Sequence, residues 1–226
     1  FKGIPVIAGG DEASLRRVSH YDYWSDKVWP SSLVTSKADL VAYGNGEASI
    51  LEIAMRLRDG ESIRDLRDMR GVAYLLGKKD SLPEHRFHDN EGDEQTLTLP
   101  SHEEVTESGE KFARATRILH RETNPLNARR LVQANGDRQV VINPPPLALT
   151  EKTLDAIYAL PYTRLPHPAY ADDAPIPAWQ TIAESVQIMR GCFGGCTFCS
   201  ITMHQGRTIQ SRSKDSVLRE VRDLAS

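Results

Sequence analysis

The chain has 226 residues, with 28 Lys and Arg against 31 Asp and Glu and a formal net charge of −3. That near balance provides no basic field to attract nucleic acid or anionic lipid. No apolar run reaches the roughly 20 residues a bilayer span requires and no signal-peptide pattern opens the chain, so the expectation is a soluble, cytoplasmic protein without membrane or nucleic-acid partners. The length allows one large domain or one and a half. Ile4-Pro5-Val6-Ile7-Ala8 is a short β-branched strand candidate ending in Gly9-Gly10. Ala38-Asp39-Leu40-Val41-Ala42-Tyr43 is a second, stopped by Gly44-Asn45-Gly46. The spacing predicts a helix over residues 47–58, with Ile50, Leu51, Ala54 and Leu57 on one face. Val72-Ala73-Tyr74-Leu75-Leu76 follows as a strand. Ser101 and Glu104 form a capping box opening a helical stretch in which Phe112, Thr116 and Leu119 share a face. Val140-Val141-Ile142 closes the series as another strand. Such alternation predicts an α/β fold, a parallel sheet covered by helices, over residues 1–143.

One junction in this region has the shape of an anion site. In Gly44-Asn45-Gly46-Glu47-Ala48-Ser49 a strand passes through a glycine turn into a helix, which presents free amides. Ser49 stands where a dinucleotide fingerprint needs its third glycine, and Glu47 repels phosphate, so a structural turn is expected. Residues 144–180 form a proline-rich connector: eight of the thirteen prolines lie between residues 143 and 177. A short helix over residues 151–159, with Thr150 as N-cap, interrupts it. Asp172-Asp173 belongs to an exposed loop, and His167 and Tyr170 are packing residues.

From residue 181 a new region begins. Residues 186–189 form a strand candidate, and a helix over residues 214–225 has Ser213 as cap and Val217, Leu218, Val221 and Leu224 as its apolar face. Between them lies the whole thiol content of the chain, Cys192, Cys196 and Cys199, in Arg190-Gly191-Cys192-Phe193-Gly194-Gly195-Cys196-Thr197-Phe198-Cys199-Ser200. An odd number of crowded thiols does not close into disulfides, whereas thiolates bind iron–sulfur clusters and zinc strongly. A cubane [4Fe–4S] cluster held by three thiolates keeps one iron open to a non-protein ligand. Gly194 and Gly195 leave room for such a cluster, and inward amides stabilise its sulfides. Two alternatives remain: a zinc site of the three cysteines with His204, and an electron-transfer iron–sulfur protein, which usually supplies a fourth cysteine.

The Cys-x-x-x-Cys-x-x-Cys spacing, with Phe198 directly before the third cysteine, resembles the signature of the radical S-adenosylmethionine superfamily. The flanking Ser185-Val186-Gln187-Ile188-Met189, Ile201-Thr202-Met203-His204-Gln205-Gly206-Arg207 and Gln210-Ser211-Arg212-Ser213 are similar to its YgiQ family. So are Gly9-Gly10-Asp11-Glu12-Ala13-Ser14-Leu15-Arg16-Arg17, His20-Tyr21-Asp22-Tyr23-Trp24-Ser25-Asp26 and Leu160-Pro161-Tyr162-Thr163-Arg164-Leu165-Pro166-His167-Pro168. The resemblance implies an enzyme with a [4Fe–4S] cluster on Cys192, Cys196 and Cys199, and with S-adenosylmethionine on the open iron. The cofactor is cleaved reductively to a 5′-deoxyadenosyl radical, Phe198 helps seat the adenine, and a flavodoxin- or ferredoxin-type donor supplies the electron. The substrate is unassigned, and no catalytic residue is named. The Asp-x-His-x-x-Gly motif of cobalamin domains is absent from this chain, so cobalamin is left undecided. The implied organisation is a Rossmann-like N-terminal domain (1–143), the connector (144–180) and the first β-α unit of a truncated (β/α) partial barrel (181–226), in a chain expected to be an internal piece. About forty-five residues after Thr181 provide one such unit, so residues 1–226 alone are expected to be inactive, to bind a cluster poorly and to aggregate.

Overall fold

The computed structural model describes residues 3–84, 87 and 96–225. In chain order its elements are β1 (Ile7–Ala8), α1 (Gly10–Leu15), β2 (His20–Asp22), β3 (Lys27–Trp29), α2 (Ser32–Ser36), β4 (Leu40–Ala42), α3 (Glu47–Arg58) and β5 (Val72–Leu76). Next come β6 (Thr96–Leu99), α4 (His102–Glu107), α5 (Gly109–Arg121), β7 (Arg130–Asn135), β8 (Arg138–Ile142), α6 (Glu151–Tyr158) and α7 (Pro177–Ile182). The chain ends with β9 (Met189–Arg190), α8 (Ile201–His204), β10 (Gln210–Ser211) and α9 (Lys214–Ala225). Two compact units result, one of Phe1–Leu147 with Cys192–Arg207, the other of Ala148–Gly191 with Thr208–Ser226.

The first unit is a Rossmann-like α/β fold around a sheet of order β1-β4-β5-β8-β7-β6. The expected class stands, but the expected parallel pairing does not: β1–β4 and β6–β7 are parallel, while β4–β5, β5–β8 and β8–β7 are antiparallel. The cause is local at one place. β7 and β8 are joined through Gly136-Asp137, with Asn135 opposite Arg138 and Gly136 at φ 58°. A two-residue turn with glycine at its first central position returns the chain antiparallel.

Both faces of this sheet are covered. Val41, Tyr43, Ala73, Leu131, Val140 and Ile142 pack on one side with Val18, Leu33, Leu99 and Leu119. Leu40, Ala42, Val72, Tyr74, Val132 and Val141 pack on the other with Ile53, Leu66 and Met69. Two-sided burial explains why β4 and β5 are continuous apolar runs without polar alternation. The helix over residues 47–58 forms as expected but turns a different face inward. Ser49 and Ile53 are buried, whereas Ile50 is 47% and Leu51 62% exposed. In the later helical stretch the capping box of Ser101 and Glu104 is present, and Ser108 divides the stretch into α4 and α5. Ala115 and Leu119 face inward with Phe112 half-buried, while Thr116 is exposed.

The start of the proline-rich connector is stitched to this unit. Gly71 N–H donates to Pro144 O at 2.8 Å and Gly71 O accepts from Tyr43 N at 2.8 Å. Asn143 Nδ2 donates to Met69 O at 2.7 Å and to Arg67 O at 2.8 Å, and the Tyr43 hydroxyl donates to Asn143 O. The Arg17 guanidinium lies 4.4 Å from the Tyr43 ring centroid, and burial holds its pKa below the usual range.

Half-buried His20 makes stability depend on pH. Burial, outweighing its bond to Val18 O, holds its pKa below the ordinary value. The unfolded chain therefore takes up this proton first, and stability is expected to fall as pH drops through about 6.5. Thermal melts from pH 7.5 to 5 check this: His20→Asn should flatten that limb of the profile, and an unchanged slope would contradict the assignment.

In the second unit β9 pairs antiparallel with β10, Met189 opposite Ser211 and Arg190 opposite Gln210. The strand expected over residues 186–189 is confined to this ladder. Among the described residues β9 and β10 pair only with each other, and no barrel closes. Buried Arg212 organises the unit: it donates to Gln187 O at 2.9 Å, to Ser216 O at 3.1 Å and to the Glu220 carboxylate, and stands 4.1 Å from the Tyr158 ring centroid. Arg164 bonds the other Glu220 oxygen. α6 and α9 are capped by Thr150 and Ser213 as expected. α7 was not expected, because the proline density of the connector suggested irregular structure, yet Pro177 occupies the first turn, where its missing N–H costs nothing. Leu218 and Val221 on α9 remain 37% and 46% exposed.

Candidate metal centre and its cleft

The cysteine segment of the first unit is closed at its base by Cys192 N–H donating to Gly206 O at 3.1 Å. Gly206, at φ 83°, supplies the left-handed conformation at that closure. Inside the loop Gly194 N–H points at Cys192 Sγ at 3.4 Å. A Cβ added to Gly194 would stand 3.2 Å from Cys192 Sγ and 3.9 Å from Cys196 Sγ, so two sulfurs flank a residue with no side chain. Cys199 N–H donates to Cys196 O at 3.2 Å, tying the third cysteine to the second through a backbone turn. All three thiols are free, Cys196 exposed and the other two half-buried. Among the described residues no three His, Cys, Asp or Glu side chains form a group able to hold a metal. The loop thus brings Cys192 and Cys196 to one cradle without gathering the complete donor set. The soft-sulfur chemistry and the side-chain-free cradle still fit an iron–sulfur cluster better than a small hard cation.

The rest of the segment is anchored on the sheet unit. α8 packs on α1, and His204 Nε2 lies 2.6 Å from Asp11 Oδ1. Among the described residues His204 Nδ1 has no hydrogen-bond partner, so the Asp11 pair does not decide against the three-cysteine, one-histidine zinc reading. Asn45 Nδ2 reaches Gln205 O at 3.5 Å, and a Cβ on Gly44 would meet His204 O at 3.4 Å. The Gly44-Asn45-Gly46 junction therefore faces carbonyl oxygens, which an anion avoids. It is a structural turn, as expected.

Beside the cysteines opens a cleft of about 380 Å³, lined by Cys196, Phe198, Cys199, Met203 and Arg207 and, from α5, by His120. Phe198 is 91% exposed and Phe193 80%. The sequence reading missed His120, which lies far upstream of the motif and has no local signal beyond its position beside Leu119. Burial, then the nearby Arg207 charge, hold its pKa below the ordinary histidine value.

Residues 1–185 match the protein family described as radical SAM N-terminal. The chain belongs to that family. It is 53% identical to a UPF0313 protein of Bradyrhizobium diazoefficiens over 99% of this chain and 34% of that protein. A UPF0313 protein of Rhodopseudomonas palustris gives the same figures, 53% over 99% and 34%. The UPF0313 protein YgiQ of Escherichia coli K12 is 44% identical over 98% of this chain and 36% of its own length. Within the radical SAM superfamily, the chain is a member of the YgiQ family. It spans about a third of the length of these curated relatives. No solved structure matches it. The family match ends at residue 185, so the three cysteines lie beyond it.

Proposed function

We propose that this YgiQ-family chain is part of a radical S-adenosylmethionine enzyme in which Cys192, Cys196 and Cys199 hold a [4Fe–4S] cluster. The observation that carries the reading is the donor set itself: three thiols in one glycine-bearing loop, two of them converging on Gly194, in a chain of the radical SAM N-terminal family. When bound, the cluster and S-adenosylmethionine supply a reductively generated 5′-deoxyadenosyl radical for hydrogen abstraction. This chain's own residues hold the loop. The Asp11–His204 pair and the Cys192–Gly206 bond fix its two ends, Gly194 leaves the space, and Phe198 offers backbone and ring to the adenine. A flavodoxin- or ferredoxin-type protein is the electron donor in this reading, and the compartment is the cytoplasm. No helix among the described residues is long and apolar enough to cross a membrane.

The test is anaerobic purification and reconstitution of the full-length protein, with iron, sulfide and zinc measured together. About four irons and four sulfides per chain are expected, and stoichiometric zinc without iron would sink the reading. The cradle has its own test. Gly194→Ala is expected to lower iron occupancy severalfold by crowding Cys192 Sγ, whereas Gly195→Ala, whose Cβ would meet nothing within 4 Å, should retain it. Equal occupancy in the two variants would remove Gly194 from the account.

A further inference from the structure

The cleft beside the cysteines contains no acidic side chain among its described lining residues, and on one side it carries Arg207 and His120. Arg207 is exposed, and among the described residues neither side chain makes a side-chain hydrogen bond or ion pair; the two are close enough for the Arg207 charge to act on the imidazole. Several other cations of this chain are paired with carboxylates: Arg56 with Asp68 and Glu61, Arg164 and Arg212 with Glu220, Lys111 with Glu104. A guanidinium beside an open cleft of about 380 Å³, with an imidazole next to it and no competing carboxylate, has the chemistry of an oxyanion receptor.

We propose that Arg207 and His120 hold a carboxylate or phosphate group of the substrate, so that α5 of the Rossmann-like unit helps to form the substrate side of the reaction cleft. Arg207 supplies the charge, and His120 a directional hydrogen bond. Substrates with an oxyanion near the hydrogen to be abstracted are thereby selected. This rests on the radical-enzyme reading of the cysteine loop, and the test separates the two.

The probe is a carboxylate that reports where it goes. In metal-free full-length protein, the alkylation rates of Cys192, Cys196 and Cys199 are measured by mass spectrometry with iodoacetate and with neutral iodoacetamide. Cys196 and Cys199 line the cleft and Cys192 does not. The iodoacetate-to-iodoacetamide ratio is therefore expected to be about fivefold higher at the two cleft cysteines, an effect of one nearby charge at low ionic strength. Arg207→Gln should erase that excess, His120→Ala should reduce it, and inorganic phosphate should compete with it in the unaltered protein. Changes in thiol reactivity affect both reagents alike and cancel in the ratio. Equal ratios at all three cysteines, or an excess that survives Arg207→Gln, overturns the proposal. If the excess is found but reconstitution yields no iron, the radical reading fails and the anion site stands. A loss of S-adenosylmethionine affinity in reconstituted Arg207→Gln would assign the anion to the cofactor's carboxylate and overturn the substrate assignment.

Discussion

Replacing any one of Cys192, Cys196 or Cys199 by alanine is expected to reduce the iron of the reconstituted full-length protein from about four per chain to near zero. In this reading each thiolate binds its own iron of the cubane, so removing one leaves a second iron without a protein ligand from this loop. The loss should come without unfolding, because Cys196 is exposed and Cys192 and Cys199 are half-buried, so little packing is removed. His204→Ala is the informative companion. It removes the pair with Asp11 and loosens the loop, but it takes away no cluster ligand, so iron should remain. Iron lost equally on His204→Ala and on the cysteine changes would restore the three-cysteine, one-histidine site.

Gly71→Ala is expected to be the costliest small substitution in the Rossmann-like unit. Gly71 has φ 69°, and its added Cβ would stand 2.9 Å from Pro146 Cδ, an atom of a rigid ring that cannot rotate away. The residue also bonds Pro144 O and Tyr43 N, so a shift at this point strains both the strand end and the connector. Left-handed strain and the clash together should cost about 3 kcal/mol. For a chain of this size that lowers the melting temperature by about 6–12 °C. Gly60→Ala isolates the first contribution, since Gly60 has φ 97° and open space around its Cβ position. Its cost should be about 1 kcal/mol. Equal melting shifts for the two variants would show that the Pro146 contact is not tight.

These elements also show which parts of the fold were legible in the sequence. The helices over residues 47–58 and 214–225, the box of Ser101 and Glu104, and the strand Val72–Leu76 rest on signals within a few residues of one another. The strand Arg130–Asn135 was missed because Gln133 interrupts its apolar run. Gln133 is buried through bonds to Ser19 N at 2.8 Å and Pro100 O at 2.9 Å, partners distant in sequence. Without that strand the Gly136-Asp137 turn could not be recognised as a hairpin, and the sheet was expected to be parallel. The inward face of α3 was likewise set by what it packs against. Periodicity alone could not choose Ile53 over Ile50 and Leu51. At the site the cysteines were plain, because ligand spacing lies in the chain itself. His120 was not, because only folding brings α5 to the loop.

The central claim is that the three-cysteine loop carries a cluster with an iron open to S-adenosylmethionine. Its most direct test is electron paramagnetic resonance of the dithionite-reduced, reconstituted full-length protein, recorded before and after addition of S-adenosylmethionine, with 5′-deoxyadenosine measured in the same samples. The account predicts a changed cluster signal and the appearance of 5′-deoxyadenosine, both absent from the cysteine variants. A cluster signal unchanged by S-adenosylmethionine, with no 5′-deoxyadenosine released, would contradict it.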